Sequence, residues 1–285
     1  MPCPEISVVV PVFNEEENLP LLAAELRGVL LSLDRPYEVI FVDDGSTDGS
    51  LEALRRLGRS DPTVRIVRLT GNAGQSAALA AGFRAARGGL VVTLDADLQN
   101  DPADIPKLLD HLEGCDVVCG VRTDRQDSWL RKASSRIAGG VRNRLTRDPV
   151  ADAGCTLRAY RAEFLRPIPL FSGMHRFLPT LLKLEGARIT EVPVHHRPRQ
   201  HGQSKYNIRN RIWRSLADLF AVRWMQRRWI DRRAPEEIDP CHSTPTTSGS
   251  PSASSVRPSS SAASSCSGSP PSAARRASSR DPSGI

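Results

Sequence analysis

The chain has 285 residues, 39% of them hydrophobic, and 39 Lys and Arg stand against 32 Asp and Glu for a formal net charge of +7. That length and apolar content suffice for one sizeable core or two small ones, which excludes a chain that is disordered or fibrous throughout. Six cysteines without C-x-x-C or zinc-ligand spacing argue against a disulfide framework or a zinc module; with no secretory segment after Met1, they set the expectation of a reducing, cytoplasmic setting.

The predicted elements alternate. "ISVVVPVFNE" (6–15) is a β-branched run, "EENLPLLAAELRGVLLSL" has apolar residues at helical spacing, and "YEVIFVDDGS" (37–46) is a short apolar run ending in turn residues. This βαβ unit repeats. "GSLEALRRLG" reads as helix, "VRIVRLT" as strand, "AGQSAALAAGFRAARG" as helix, "LVVTLDAD" as strand, "PADIPKLLDHLEG" as helix and "DVVCGVR" as strand. Continuous apolar strands predict an α/β fold with a mostly parallel sheet covered by helices on both faces. Ligands of such sheets bind at the carboxyl ends of the strands.

Further on, "NIRNRIWRSLADLFAVRWMQRRWI" (207–230) carries Ile208, Ile212, Leu216, Leu219, Phe220 and Trp224 at helical spacing among arginines. Such a helix either lies in a membrane interface or packs amphipathically on the core. No run of 18 apolar residues occurs, so no membrane span is expected. From Ala234 to Ile285, 17 of 52 residues are Ser and 8 are Pro, which predicts a disordered tail. Its abrupt start also fits a reading-frame change in the coding sequence. The expected organisation is a catalytic domain over 1–206, an interfacial helix over 207–233 and the tail over 234–285.

Charge is unevenly spread. Residues 1–119 hold 10 Lys and Arg against 19 Asp and Glu, whereas residues 120–233 hold 25 against 9. An acidic first half suits a cation, and a basic second half suits phosphate or an anionic surface. Nucleic acid is not expected, because no helix-turn-helix, zinc-finger or RNP-like motif accompanies the basic residues. The dinucleotide G-x-G-x-x-G and the P-loop signature are also missing.

The unusual polar residues fall at strand ends: Asn14 and Glu15, Asp43 and Asp44, Gly71 and Asn72, then Asp95, Asp97 and Gln99. One Asp in such a place serves as a cap or turn residue, but four successive strand ends suggest a site. As the extended end of a strand, "DAD" sends the Asp95 and Asp97 carboxylates toward one cleft, because alternate residues share a face. Oxygen ligands of this kind suit Mg2+ or Mn2+ bridging to phosphates, so a diphosphate-bearing substrate is expected.

"VVVPVFNEEENL", "VDDGSTDGS", "NAGQSAALAAGF" and "DADLQNDP", in this order and spacing, resemble the family 2 glycosyltransferases of GT-A fold. "DAGCTLRAYRAEFL" and "HRFLPTLLKLEGARITEVPVHHRPRQHGQSKY" are similar to the polyprenyl-phosphate sugar transferases, the group of dolichol-phosphate mannosyltransferase and the bacterial undecaprenyl-phosphate glycosyltransferases. The resemblance runs from about Ile6 to Ile230. It implies that Pro11, Asn14, Glu15 and Asp43 line a nucleotide pocket and that Asp95 sits close to ribose and diphosphate. Asp97 and Gln99, with Asp95 beside them, would bind the metal. Arg122, Arg131 and Ser135 would hold an acceptor phosphate. Arg199, Ser204 and Lys205 would belong to a loop closing over the donor diphosphate, Lys205 also serving the leaving group.

The chemistry so implied is a single inverting displacement from a nucleotide-diphosphate sugar to a polyprenyl (undecaprenyl or dolichyl) phosphate. Its nucleophile is already anionic and needs no base; positioning and charge neutralisation carry the rate. A saccharide-hydroxyl acceptor would need a carboxylate base, for which Asp152 of "DAGC" is the candidate. A nucleotidyltransferase and a non-catalytic membrane-binding homologue are the remaining readings. Adjacent strand residues point to opposite faces, so His195 and His196 are expected to order a loop rather than share a metal. A polyprenyl acceptor places the chain peripherally at the cytoplasmic face of the membrane. A homo-oligomer and a membrane-anchored partner both stay open.

Overall fold

The apolar runs of the first half become the strands they predict, and two further strands come from the second half. A computed structural model describes residues 3–123, 140, 142–144, 146, 150–169, 171–198 and 208–230, with backbone alone for 208–215. Arg131, Ser135, Arg199, Ser204, Lys205 and the Ser/Pro tail lie outside the described residues.

Strands β1 (Ile6–Val12), β2 (Tyr37–Asp43), β3 (Val64–Arg68), β4 (Leu90–Thr93), β5 (Val117–Arg122), β6 (Arg158–Arg161) and β7 (Ile189–Val194) make one sheet in the order β3-β2-β1-β4-β6-β5-β7. Every pairing is parallel except those of β6, which runs antiparallel between β4 and β5. The helices are α1 (Leu19–Ser32), α2 (Ser50–Ser60), α3 (Gln75–Ala85), α4 (Ile105–His111), α5 (Leu178–Leu184) and α6 (Ile208–Arg228).

Alternation along each strand splits the core into two layers. Val8, Val10 and Val12 pack with Leu19, Leu22, Leu26 and Leu30 of α1, Leu54 of α2 and Leu108 of α4. Val9 faces the other way, into Ala78 and Leu79 of α3, Leu181 and Leu182 of α5, and Leu219 and Val222 of α6. The four α1 leucines are fully buried; each contributes roughly 1.5–3 kcal/mol relative to exposure. Small residues let α3 sit close to the sheet. A Cβ on Gly82 would collide with the Val9 side chain.

The structure corrects two readings. "LVVTLDAD" does not stay extended to Asp97, because β4 stops at Thr93 and a turn follows. The apolar positions of α6 do not form one stripe either. Leu219 and Val222 enter the core, whereas Phe220 and Trp224 are 63% and 59% exposed. Helix α6 lies inside the same compact unit as the sheet.

An ion pair sets the β5–β7 edge. Asp116 accepts from the Arg188 backbone N at 2.8 Å, Nε at 3.0 Å and Nη2 at 3.1 Å. The Arg188 guanidinium holds this carboxyl below the usual Asp range. A lowered folded-state value stabilises above the unfolded pKa and ceases to do so as pH falls through the folded one. Asp116→Asn should therefore melt below wild type at pH 7, with the gap closing in acid. A gap independent of pH would assign the effect to packing.

Candidate active site

The carboxyl ends of β1, β2 and β4 converge on one cleft. Asn14, with φ 55°, turns the chain out of β1. Its Oδ1 accepts the Thr47 N–H at 2.7 Å, and its own N–H donates to Ser46 Oγ at 3.0 Å. Glu15 N–H donates to Ser50 Oγ at 2.8 Å, so "FNE" and "DDGSTDGS" are locked together although about thirty residues separate them. Pro11 lies in register with Val42, and Val12 with Asp43.

Asp43 is fully buried. Its Oδ1 accepts the Ser46 N–H at 3.0 Å; its Oδ2 has no hydrogen-bond partner among the described residues, with Arg68 Nε at 3.7 Å. A buried acceptor left open in this way is suited to a ligand's donor groups. Asp44 instead receives the N–H groups of Ala73 at 2.7 Å and Gly74 at 2.9 Å, and shapes the loop entering α3. Gly45, at φ +70°, lets that loop approach: a Cβ there would lie 2.7 Å from Asn72 N.

The acidic turn after β4 carries the strongest electrostatic tension. Leu98 takes φ 59°, a left-handed conformation costly for a branched residue. It reverses the chain so that Asp97 Oδ1 accepts the Gln99 N–H at 3.2 Å. The turn, not an extended D-x-D, brings the carboxylates together. Burial, then the charges of Asp97 and, more weakly, Glu15 push the Asp95 carboxyl above its ordinary range, against Thr156 and Arg158. Gln75 Nε2 donates to Asp95 Oδ1 at 2.7 Å.

Asp95, Asp97 and Gln99 carry oxygen donors of the kind that suits Mg2+ or Mn2+, and the two carboxylates repel until a cation comes between them. Among the described residues no three His, Cys, Asp or Glu side chains gather into a metal cage. A cation here would complete its shell with water or substrate phosphate, as Mg2+ commonly does. The turn is braced from behind: Gln99 O accepts the Arg197 N–H at 2.8 Å, and Arg197 pairs with Glu25 at 2.9 Å and Asp101 at 2.8 Å. His195 faces Asp104 at 3.1 Å, and His196 bridges to Asn100.

On the other side of the cleft, Arg122 and Asp152 form a bidentate pair, Nε to Oδ2 at 2.6 Å and Nη2 to Oδ1 at 2.8 Å. Gly154 N–H adds a third bond to Oδ1 at 3.1 Å. By sequence these two residues fall to separate roles, and the structure joins them. A carboxylate engaged by a guanidinium is a weak base. Gln75, Arg158 and Arg197 were not singled out from the sequence. Arg158 alone left a signal there, a cation inside the apolar run "CTLRAY".

A mostly parallel sheet, helices on both faces and an acidic turn at the end of β4 define the GT-A fold. Solved structures with this fold include glucosyl-3-phosphoglycerate synthase from Mycobacterium tuberculosis with Mn2+, UDP and phosphoglyceric acid, at 21% identity and TM-score 0.59 over 78% of each chain. A mannosyltransferase from Pyrobaculum calidifontis in complex with GDP-Man and Mn2+ matches at 24% identity and TM-score 0.55, over 76% of this chain and 63% of that one.

The chain belongs to glycosyl transferase family 2, whose profile matches residues 7–168. It is 42% identical over 229 residues to dodecaprenyl-phosphate galacturonate synthase of Rhizobium johnstonii, covering 78% of this chain and 68% of that protein. It is 43% identical over 209 residues to undecaprenyl-phosphate 4-deoxy-4-formamido-L-arabinose transferase of Serratia proteamaculans, covering 73% of this chain and 64% of that protein. The chain thus spans about two thirds of the length of these relatives. No helix among the described residues is long and apolar enough to cross a membrane.

Proposed function

We propose that this chain transfers a sugar, with inversion, from a nucleotide-diphosphate donor to a polyprenyl phosphate at the membrane surface. The observation that carries this is identity above 40% to transferases named for polyprenyl-phosphate sugars. The cleft supports it: Asp152, the one base candidate from the sequence, is engaged by Arg122, and a phosphate acceptor needs no base.

In this reading Pro11, Asn14, Glu15 and Asp43 receive the nucleoside, Asp43 Oδ2 accepting from its base or ribose. Asp95, Asp97 and Gln99 would hold Mg2+ or Mn2+, which when bound neutralises charge growing on the leaving diphosphate. Lys205, Arg199 and Ser204 would grip that diphosphate. Arg122, Arg131 and Ser135 would present the acceptor phosphate, Arg122 oriented by Asp152. Outward-facing Phe220 and Trp224, with Arg227 and Arg228 on the same helix, suit the headgroup boundary, and Arg228 lies over the Trp224 ring at 5.5 Å. This favours peripheral attachment at the cytoplasmic face.

A panel of nucleotide sugars offered with undecaprenyl or dolichyl phosphate, read by product mass, should yield one glycosyl-phosphoryl lipid and a nucleoside diphosphate. Sugar attached to a saccharide hydroxyl instead, or release of inorganic diphosphate, would overturn the assignment.

A further inference from the structure

Because β6 is antiparallel, its first residue lies beside the last residue of β4: Arg158 pairs in register with Thr93, two positions before Asp95. Arg158 is 2% exposed. Among the described residues it has no ion pair, and its Nε has no hydrogen-bond partner. Its charge acts on Asp95 through space, but no carboxylate among the described residues bonds to it, and burying a guanidinium on these terms is costly. What Arg158 does have is two carbonyl acceptors on two different loops: Nη2 donates to Ala153 O at 2.9 Å and Nη1 donates to His175 O at 3.1 Å.

Each loop leads to one half of the cleft. Ala153 follows Asp152, which is locked onto Arg122. His175 Nδ1 is 2.8 Å from Ser76 Oγ, and Ser76 also accepts the Gly173 N–H at 3.0 Å. Ser76 is in the first turn of α3, next to Gln75, the residue bound to Asp95. One planar guanidinium therefore closes a continuous chain of contacts from Arg122 to Asp95. Two donors in a fixed fork suit that task; the single ammonium of lysine does not.

We propose that Arg158 is a positioning residue that sets the acceptor half of the cleft against the donor half. The role rests on the transfer reaction proposed above: the separation of the halves would fix the distance from the attacking phosphate oxygen to the sugar carbon. At 2% exposure Arg158 is out of reach of either substrate, so its loss should appear in turnover rather than in binding.

Arg158→Lys, made in the full chain, should lower kcat by about 10- to 100-fold, while KM for donor and acceptor and Mn2+ affinity move by less than about threefold. His175→Ala, which leaves the buried charge alone, should lower kcat less. The double variant should be no worse than Arg158→Lys, because both cut one chain of contacts. Amide hydrogen exchange, read without substrate, should rise in Arg158→Lys over 151–157 and 171–177 together, with β1 and β2 protected as before. Wild-type kcat in a folded Arg158→Lys, a loss matched by weaker donor binding, or additive single effects would each overturn the role. So would exchange that rises in one segment only or in neither. The exchange result stands apart from the transfer assay, so a wild-type chain inert toward every polyprenyl phosphate would sink the functional reading without touching it. If Arg158→Lys does not fold, His175→Ala decides: unchanged kcat rejects the strut.

Discussion

Asp97→Asn should nearly abolish transfer while leaving the fold intact. The substitution keeps the side chain's shape, and the amide oxygen can still accept the Gln99 N–H that Asp97 Oδ1 takes at 3.2 Å. What disappears is one of the two carboxylates proposed to face the cation. Several kcal/mol of transition-state charge stabilisation are at stake in such a contact, and each 1.36 kcal/mol is a tenfold rate, so the expected loss is roughly 10²- to 10³-fold. Melting temperature should hold or rise slightly, because the variant removes the negative charge that presses on Asp95. Metal titration should show a weakened Mn2+ response in parallel. Full turnover of Asp97→Asn in the presence of chelator would end the assignment of this residue to a cation.

The second large effect concerns stability. Arg122 and Asp152 are mostly buried, with side-chain exposures of 17% and 9%. Arg122→Met takes the guanidinium away from the mostly buried Asp152 carboxylate, while the backbone N–H groups of Arg122 and Gly154 still donate to it. Removing one partner of a buried pair costs about 3–5 kcal/mol, the upper part of that range applying to full burial. Arg122→Met combined with Asp152→Leu should recover much of the stability, because no charge is then stranded. Neither variant should transfer sugar if Arg122 also presents the acceptor phosphate. A double variant that refolds and turns over normally would make the pair a structural device alone. Urea unfolding, compared with transfer by the refolded protein, separates the two outcomes.

The acidic turn after β4 shows how far local pattern reaches. Three acidic or amide residues after an apolar run point to a cation site in the sequence, because residue type and position at a strand end report oxygen donors directly. The geometry behind them was not legible there. An extended D-x-D would place both carboxylates on one face by alternation, yet β4 ends at Thr93, the chain turns at Ala96 and Asp97, and left-handed Leu98 folds Gln99 back so that its N–H meets Asp97. A strained φ at a leucine leaves no mark in composition, since it is held by the surroundings that bury the side chain. For α6 the periodicity was visible, but both sides of the helix carry apolar residues. The core layer that contains Met174, Phe177 and Leu181 decides that Leu219 and Val222 turn inward, which leaves Phe220 and Trp224 outward.

By itself the sequence determined the alternation of strands and helices through residue 122, the two-faced burial of the sheet and the acidic strand ends, because each is a property of residues within one or two turns of each other. The tertiary structure decided what joins across distance. It inserted β6 antiparallel between β4 and β5, paired Arg122 with Asp152 thirty positions away, and tied Ala153 and His175 to one buried guanidinium. Hydrogen bonds and ion pairs of this kind depend on which loops the sheet order brings together. Neither member of such a pair carries a local signal for the other.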